Sequence, residues 1–227
     1  MERIYILPGW FFGYSIILEF MFFLLAGIVA LYAFKVYKLT YRREAKLFGG
    51  AFSFLSASYL ILCLSNLFFL KISGNIREYW IEGVYQIKAL FFVLYIVSLV
   101  SGLGTLVYAT QKEKNNELYF IMIVVSILGV LLSSDKSFMI YFVSSLFLLF
   151  VVYHYISLYK LKGNRNTFFV MLGMVFFFVS NLLLMLVDDY FVPNLYALSH
   201  VLDILGYVFI FFSLISILQN GKKKKSP

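Results

Sequence analysis

The chain has 227 residues, of which 63% are hydrophobic and only 13% are charged, and its formal net charge is +8. A soluble domain usually carries about 25% charged residues, so this composition excludes a water-soluble globular protein. The length excludes a multi-span bundle joined to a separate soluble domain, because each crossing takes roughly 20 residues and needs a connection. We therefore predict one all-α integral membrane domain over residues 1–221, followed by a basic tail over residues 222–227.

Seven apolar stretches predict a bundle of seven transmembrane helices. The first begins without a basic segment before it and is long enough to span, so we expect it to be retained and not cleaved as a signal peptide. The fourth is the shortest, but it can cross with little tilt because Leu118 to Leu132 contains no charge. In chain order the predicted spans are 10–34, 45–70, 84–109, 117–132, 138–158, 167–187 and 195–218.

The connections between the spans alternate between basic and poorly basic. Basic loops mark the cytoplasmic side of a membrane protein, so the alternation predicts an N-terminus outside and a C-terminus inside. We expect a multi-pass protein of the cell membrane. The basic connections hold 14 of the 19 lysines and arginines, namely Lys35, Lys38, Arg42, Arg43, Lys46, Lys112, Lys114, Lys160, Lys162, Arg165 and Lys222 to Lys225.

The lysine run Lys222, Lys223, Lys224 and Lys225 is typical of a cytoplasmic anchor on anionic lipid headgroups, worth about 1 kcal/mol per residue near the surface. The basic loops can also contact a cytoplasmic protein partner. Since topology accounts for the positive charge, we predict no nucleic-acid partner. Lys224 and Lys225 also have roughly the spacing of a dilysine retrieval signal, which makes the endoplasmic reticulum membrane the alternative in a eukaryote.

Short strings recur along the chain and favour a parallel repeat of three helices, a linker helix and three helices. Chance recurrence of abundant tyrosine, serine and leucine is the alternative explanation. The offsets are about 122, 115 and 112 residues. The recurring positions are Leu31–Leu39 with Tyr153–Leu161, Ser65-Asn66-Leu67 with Ser180-Asn181-Leu182, and Lys88 with His200, Tyr95 with Tyr207 and Ser101 with Ser213.

Polar side chains at membrane depth are candidates for function, because an ionisable group there costs roughly 2.5 to 3.5 kcal/mol on insertion scales. With the predicted topology they collect in the outer half of the bundle, where Lys88 would neutralise Glu19 or Asp203. A structural network that holds the helices together is the alternative interpretation. The candidate ligand-binding residues are Glu19, Asn66, Lys88, Asn181, His200, Asp203 and Tyr207.

The sequence predicts no catalytic residue and no cofactor. A zinc-dependent membrane hydrolase needs several histidines or carboxylates at one metal. The chain has only two histidines, and they lie toward opposite sides of the membrane. A divalent metal site formed by Glu19, His200 and Asp203 is the enzymatic alternative. The lone Cys63 predicts no intramolecular disulfide and is expected to be a small buried apolar residue.

Three strings carry a resemblance to known membrane proteins. Trp10-Phe11-Phe12-Gly13-Tyr14 leading into Ile17-Leu18-Glu19, and Tyr37-Lys38-Leu39 after the first span, resemble uncharacterised archaeal seven-helix membrane proteins. The last span, with His200 and Gly206-Tyr207, is similar to the closing helix of seven-helix sensor regions that precede histidine kinases in prokaryotes. This sequence lacks the cytoplasmic output domain of such sensors, which argues against autonomous signalling.

Three functions are compatible with these observations. The first is a receptor-like or sensory protein with an outward-facing polar pocket for a small molecule or ion. The second is a small transporter built on the helix repeat, which would need a continuous polar path to the cytoplasm. The third is a membrane scaffold or assembly subunit without a ligand, whose polar groups would all be paired with one another.

Overall fold

The computed structural model describes the backbone of residues 9–73, 81–111, 115–190 and 193–223, and the side chains of residues 14–68, 86–111, 115–186 and 194–219. These residues form seven α-helices and no strand, and each predicted span falls inside one helix. The helices are α1 (Gly9–Thr40), α2 (Arg43–Ser73), α3 (Ile81–Thr110), α4 (Asn116–Leu132), α5 (Lys136–Lys162), α6 (Arg165–Tyr190) and α7 (Pro193–Lys223).

Six of these helices are long and apolar enough to cross a membrane. Large apolar side chains also cover the outer surface of the helices, among them Ile17, Leu90 and Phe120. Helices that are apolar on every side fit a lipid environment, because their outward-facing apolar side chains would be exposed to water in a soluble protein. The chain is therefore a multi-pass membrane protein. With 17 residues, α4 is about 25 Å long, and its crossing stays a prediction.

Polar residues at the helix ends explain where the described helices begin and stop. The Asn115 side chain accepts hydrogen bonds from the backbone N–H groups of Glu117 and Leu118 at the start of α4. Asp135 accepts one from Phe138 at the start of α5. Gly163 ends α5 at a φ of 56°, a left-handed conformation that favours glycine because it has no Cβ. The connections on both sides of α5 are consequently short and sharp.

The helices form a ring that follows the order of the chain. Each helix packs against the next, α7 packs against α1, and α3 packs directly against α5. Within the described part of the chain, α4 contacts only α3 and α5, so it lies on the outside of a ring of six. We call the end at which α1, α3, α5 and α7 begin the upper end, and the opposite end the lower end.

Two glycines bring α6 and α7 into backbone contact. A Cβ added at Gly173 would lie 2.8 Å from the carbonyl oxygen of Gly206, and a Cβ at Gly206 would lie 3.0 Å from that of Gly173. Other neighbouring helices are joined by serine hydroxyls. Ser56 on α2 donates to the Phe23 carbonyl on α1 at 2.9 Å, and Ser98 on α3 donates to the Phe54 carbonyl on α2 at 3.0 Å. Small residues and hydroxyl groups at helix contacts are typical of membrane bundles.

The lower half of the ring is filled by apolar side chains. Ala33, Phe48, Phe52, Val151 and Leu214 are all buried there in one continuous core. At the lower end itself, polar side chains tie three helices together. Arg43 on α2 donates to the Tyr108 hydroxyl on α3 at 2.7 Å, and that hydroxyl donates to Asn116 on α4 at 2.5 Å. The start of α4 is thereby fixed beside the end of α3.

Candidate functional site

A cavity of about 150 Å³ lies inside the ring. Six helices line it, and none of the described residues of α4 does. An apolar cavity of this size in another protein accommodates a molecule such as benzene, which gives the scale of a ligand. The polar side chains of the lining are Ser15, Glu19, Tyr59, Tyr95, Tyr141, Ser144, Asn181, Tyr196, His200, Asp203 and Tyr207.

Glu19 contributes a buried carboxyl group to the lining from α1. Its side chain is 7% exposed, and its Oε1 accepts hydrogen bonds from Asn66 Nδ2 at 2.6 Å and from Ser15 Oγ at 3.0 Å. Ser15 reaches Glu19 because four residues make just over one turn of helix. The second oxygen, Oε2, is buried and has no hydrogen-bond partner among the residues that the structure describes. One side of this carboxyl group is therefore held, while the other side is unpaired.

A second carboxyl group comes from Asp203 on α7, three residues after His200. His200 Nδ1 lies 3.8 Å from Asp203 Oδ2, which is an electrostatic contact longer than a hydrogen bond. Neither ring nitrogen of His200 has a hydrogen-bond partner within the described residues. The edge of the Tyr196 ring packs on the imidazole with the ring centroids 4.3 Å apart. The imidazole thus packs against Tyr196 and contacts the Asp203 carboxyl group, while neither of its nitrogens makes a hydrogen bond to the described residues.

Aromatic rings separate these polar groups from the apolar core below. The buried Phe22 ring lies 5.3 Å from Tyr59, 5.5 Å from His200 and 6.1 Å from Tyr207, measured between ring centroids. Tyr207 in turn meets Phe177 edge to face at 4.8 Å. Such aromatic pairs contribute about 0.5–1.5 kcal/mol beyond their buried area. The cavity therefore has a rigid aromatic wall shared by α1, α2, α6 and α7.

The structure brings together most of the residues that the sequence singled out. Five of them line the cavity, namely Glu19, Asn181, His200, Asp203 and Tyr207. Asn66 does not line it but holds the Glu19 carboxyl group. Lys88 is exposed and is not part of the lining, and its expected pairing with Glu19 or Asp203 stays a prediction. It lies about two turns above Tyr95 on α3.

The predicted binding set left out six polar lining residues, namely Ser15, Tyr59, Tyr95, Tyr141, Ser144 and Tyr196. Nothing distinguishes Tyr59 and Tyr141 among the 18 tyrosines of the chain by composition alone. The recurrence of strings does carry a signal, because the 122-residue offset places Tyr141 opposite Glu19 and Ser144 opposite Phe22. All four of these positions line the cavity.

Two other predictions concern metal ions and Cys63. No group of three or more histidine, cysteine, aspartate or glutamate side chains that could hold a metal ion occurs in the described part of the chain. Cys63 is buried, as predicted, at 3% exposure.

The basic tail lies mostly outside the described residues. Lys222 and Lys223 belong to the backbone of α7, but their side chains, and all of Lys224 and Lys225, are not described. The chain matches no family model, no curated protein and no solved structure. The resemblance to seven-helix sensor regions therefore stays a prediction.

Proposed function

We propose that this protein is a sensory or receptor-like membrane protein whose cavity binds a small molecule or ion from the extracytoplasmic side. The observation that carries the proposal is the one-sided polarity of the cavity. Glu19, His200 and Asp203 surround its upper part, whereas Leu103, Leu106 and Leu148 line it toward the lower end. A ligand entering from above would meet polar groups first and an apolar barrier behind them.

The distribution of charge supports the orientation. Seven basic residues are exposed at or near the lower end, namely Lys35, Lys38, Arg42, Lys46, Lys160, Lys162 and Arg165. Because cytoplasmic loops are enriched in lysine and arginine, the lower end is assigned to the cytoplasm. The start of α4 lies beside the end of α3, and Val130 near its end packs with Ile140 near the start of α5. This path supports a seventh crossing by α4.

We expect cysteine labelling to support this topology. In a Cys63→Ala background, Arg42→Cys and Arg165→Cys should react with an impermeant maleimide only from the cytoplasmic side, and Lys136→Cys only from the outside. All three native side chains are exposed. If α4 did not cross, Lys136→Cys would label together with Arg42→Cys and Arg165→Cys would label from the outside, which would reject the proposed orientation of the cavity.

The transporter is the second candidate, and the packing order favours it in one respect. If α1, α2 and α3 correspond to α5, α6 and α7, then the contact of α1 with α7 corresponds to that of α5 with α3, and α4 lies outside both sets. The offsets also carry Leu18 onto Ile140 and Leu62 onto Phe177, and all four residues line the cavity. Toward the lower end, the described part of the cavity lining consists of Leu103, Leu106 and Leu148, so we favour binding without transport.

The scaffold without a ligand is disfavoured by unpaired polar atoms. A purely structural network would pair its buried groups, because each unsatisfied polar atom in an apolar environment costs free energy. Glu19 Oε2, Ser144 Oγ and both His200 ring nitrogens are buried without hydrogen-bond partners among the described residues. Ser145 Oγ and Ser180 Oγ, which lie outside the lining, also lack partners in the described part of the chain, so four of these six atoms belong to residues of the cavity. This concentration at one cavity favours a binding site over a network that only holds helices together.

Access to the cavity is tested by placing a thiol inside it. In the Cys63→Ala background, we expect Ser144→Cys to react with a small methanethiosulfonate reagent added from the outside. Ser145→Cys is the matched control, because Ser145 is the next residue and is also buried, at 6% exposure against 2% for Ser144, but does not line the cavity. Equal rates for the two variants, or no reaction of Ser144→Cys, would show a sealed network and reject the ligand-binding function.

A further inference from the structure

We propose that the ligand of this cavity is a small organic cation, held by the carboxyl groups of Glu19 and Asp203 against the aromatic wall formed by Phe22, Tyr59 and Tyr207. This inference rests on the proposed function, which leaves the class of ligand open. It follows from the charge of the lining, from the carboxylate oxygen that lacks a hydrogen bond, from the aromatic residues of the lining and from the size of the cavity.

The lining favours positive charge. It contains the two carboxyl groups of Glu19 and Asp203 and one imidazole, and none of the described lining residues is a lysine or arginine. With both carboxyl groups ionised, the lining stays negative even when His200 is protonated. An anion would meet repulsion inside an apolar bundle, where charges interact more strongly than in water. A cation would instead balance the negative charge of the two carboxyl groups.

The unpaired oxygen gives the cation a position. Asn66 and Ser15 both donate to Oε1 of Glu19, so the carboxyl group is oriented from that side and Oε2 is left without a donor among the described residues. An ammonium N–H, or the positive face of an alkylated ammonium, is the partner that a buried carboxylate oxygen lacks. Asp203 provides the second carboxyl group from α7, with His200 beside it.

The aromatic wall favours an organic cation over a bare metal ion. Calcium binds six to eight oxygen ligands, and magnesium demands near-octahedral coordination by oxygen. Here the carboxyl groups are accompanied by the aromatic ring of Phe22 and by those of Tyr59 and Tyr207, whose centroids lie 5.3 and 6.1 Å from the Phe22 centroid. Ring faces attract ammonium groups by about 0.5–2 kcal/mol, and aromatic cages are a known means of binding alkylated ammonium ions. The volume of about 150 Å³ limits the ligand to a few carbon atoms around the nitrogen.

The test uses the whole chain in lipid nanodiscs, with binding measured by titration calorimetry and by the shift in melting temperature. The probes are tetramethylammonium, choline and ethanolamine, with dimethylbutanol as the neutral carbon isostere of choline, acetate as an anion and sodium chloride as the inorganic salt. We expect at least one of the ammonium ions to bind, with dimethylbutanol weaker by about ten-fold or more and acetate without effect.

Two variants locate the site. Glu19→Gln keeps a carbonyl oxygen that accepts hydrogen bonds from Asn66 and Ser15, so this variant is expected to fold. Its affinity for the ammonium ion is expected to fall by about ten-fold or more. Asp203→Asn removes the charge of the second carboxyl group in the same way. Glu44→Gln is the matched control, because Glu44 is an exposed carboxyl group at the lower end of the bundle. Its affinity should equal that of the unmodified chain.

Each remaining outcome contradicts the inference. Equal binding of dimethylbutanol would show recognition by shape alone, and binding of acetate would reverse the assigned charge. Sodium that stabilises the protein in a way that depends on Glu19 would identify an inorganic ion site. If no ammonium ion binds while Ser144→Cys still reacts from the outside, the organic cation is rejected and the binding function stands; if Ser144→Cys is also inert, both are rejected.

Discussion

Gly173→Ala is expected to lower the free energy of unfolding by about 1–3 kcal/mol, which is the usual cost of forcing an extra group into a well-packed contact. The added Cβ would lie 2.7 Å from Ile210 Cγ1 and 2.8 Å from the Gly206 carbonyl oxygen. Ile210 is fully buried and cannot turn away easily, and the carbonyl belongs to the backbone of α7. The two helices would have to separate, which weakens the packing between Tyr207 and Phe177 at the cavity.

Gly129→Ala is the control for this substitution. Gly129 lies within α4, where an added Cβ would meet nothing within 4 Å. Since alanine favours a helix by about 1 kcal/mol over glycine, Gly129→Ala should be neutral or slightly stabilising. Both variants are compared by denaturant titration in detergent micelles. If Gly129→Ala lowered the free energy of unfolding as much as Gly173→Ala, the effect would come from the change of glycine to alanine itself and not from the contact of α6 with α7.

The second large effect is expected at Asn66, whose amide holds a buried carboxyl group. Asn66→Leu removes the 2.6 Å hydrogen bond to Glu19 Oε1 and leaves only Ser15 as a donor to that oxygen. Hydrogen bonds to charged groups contribute about 1.5–3 kcal/mol, so a loss of stability in this range is expected. The double variant Asn66→Leu with Glu19→Leu should lose less than the sum of the single variants, because no carboxyl group is then left unpaired.

The control for Asn66→Leu is an asparagine that donates no hydrogen bond to a carboxyl group. Asn194 is exposed near the start of α7, so Asn194→Leu should change the unfolding free energy by no more than about 0.5 kcal/mol. Additive effects of the Asn66 and Glu19 substitutions in the same titration would show that the two side chains do not stabilise one another. That result would contradict the geometry at the upper end of α2.

The helices could be predicted because a long apolar stretch identifies the part of each helix that lies within the bilayer. Their ends could not, since hydropathy says little about where a helix stops once it leaves the lipid. The first span was predicted to end at residue 34, yet α1 continues to Thr40 through Lys35 and Lys38, which are good helix formers. The end of α5 at Gly163 depends instead on a left-handed residue.

The ionisable residues of the candidate site could be predicted, because burying such a group within an apolar span is costly and makes it conspicuous in the sequence. Glu19, His200 and Asp203 stood out for that reason, and all three line the cavity. Tyr59 and Tyr141 did not stand out, because a tyrosine ring is as common in an apolar core as at a polar site. Lys88 was proposed from its spacing on α3, but the spacing of residues along one helix does not say where a long side chain carries its charge, so its pairing stays a prediction.

The serine bonds between α1, α2 and α3 have a consequence for how the protein would respond to an occupied site. Because Ser56 and Ser98 each donate a hydrogen bond to a backbone carbonyl of the preceding helix, these three helices are expected to shift as a rigid body. Movement is then expected at the contacts of α1 with α7 and of α3 with α5. A ligand that contacts the helices on both sides of such a contact would draw α1–α3 and α5–α7 toward each other, and the loops at the lower end would move without any helix bending.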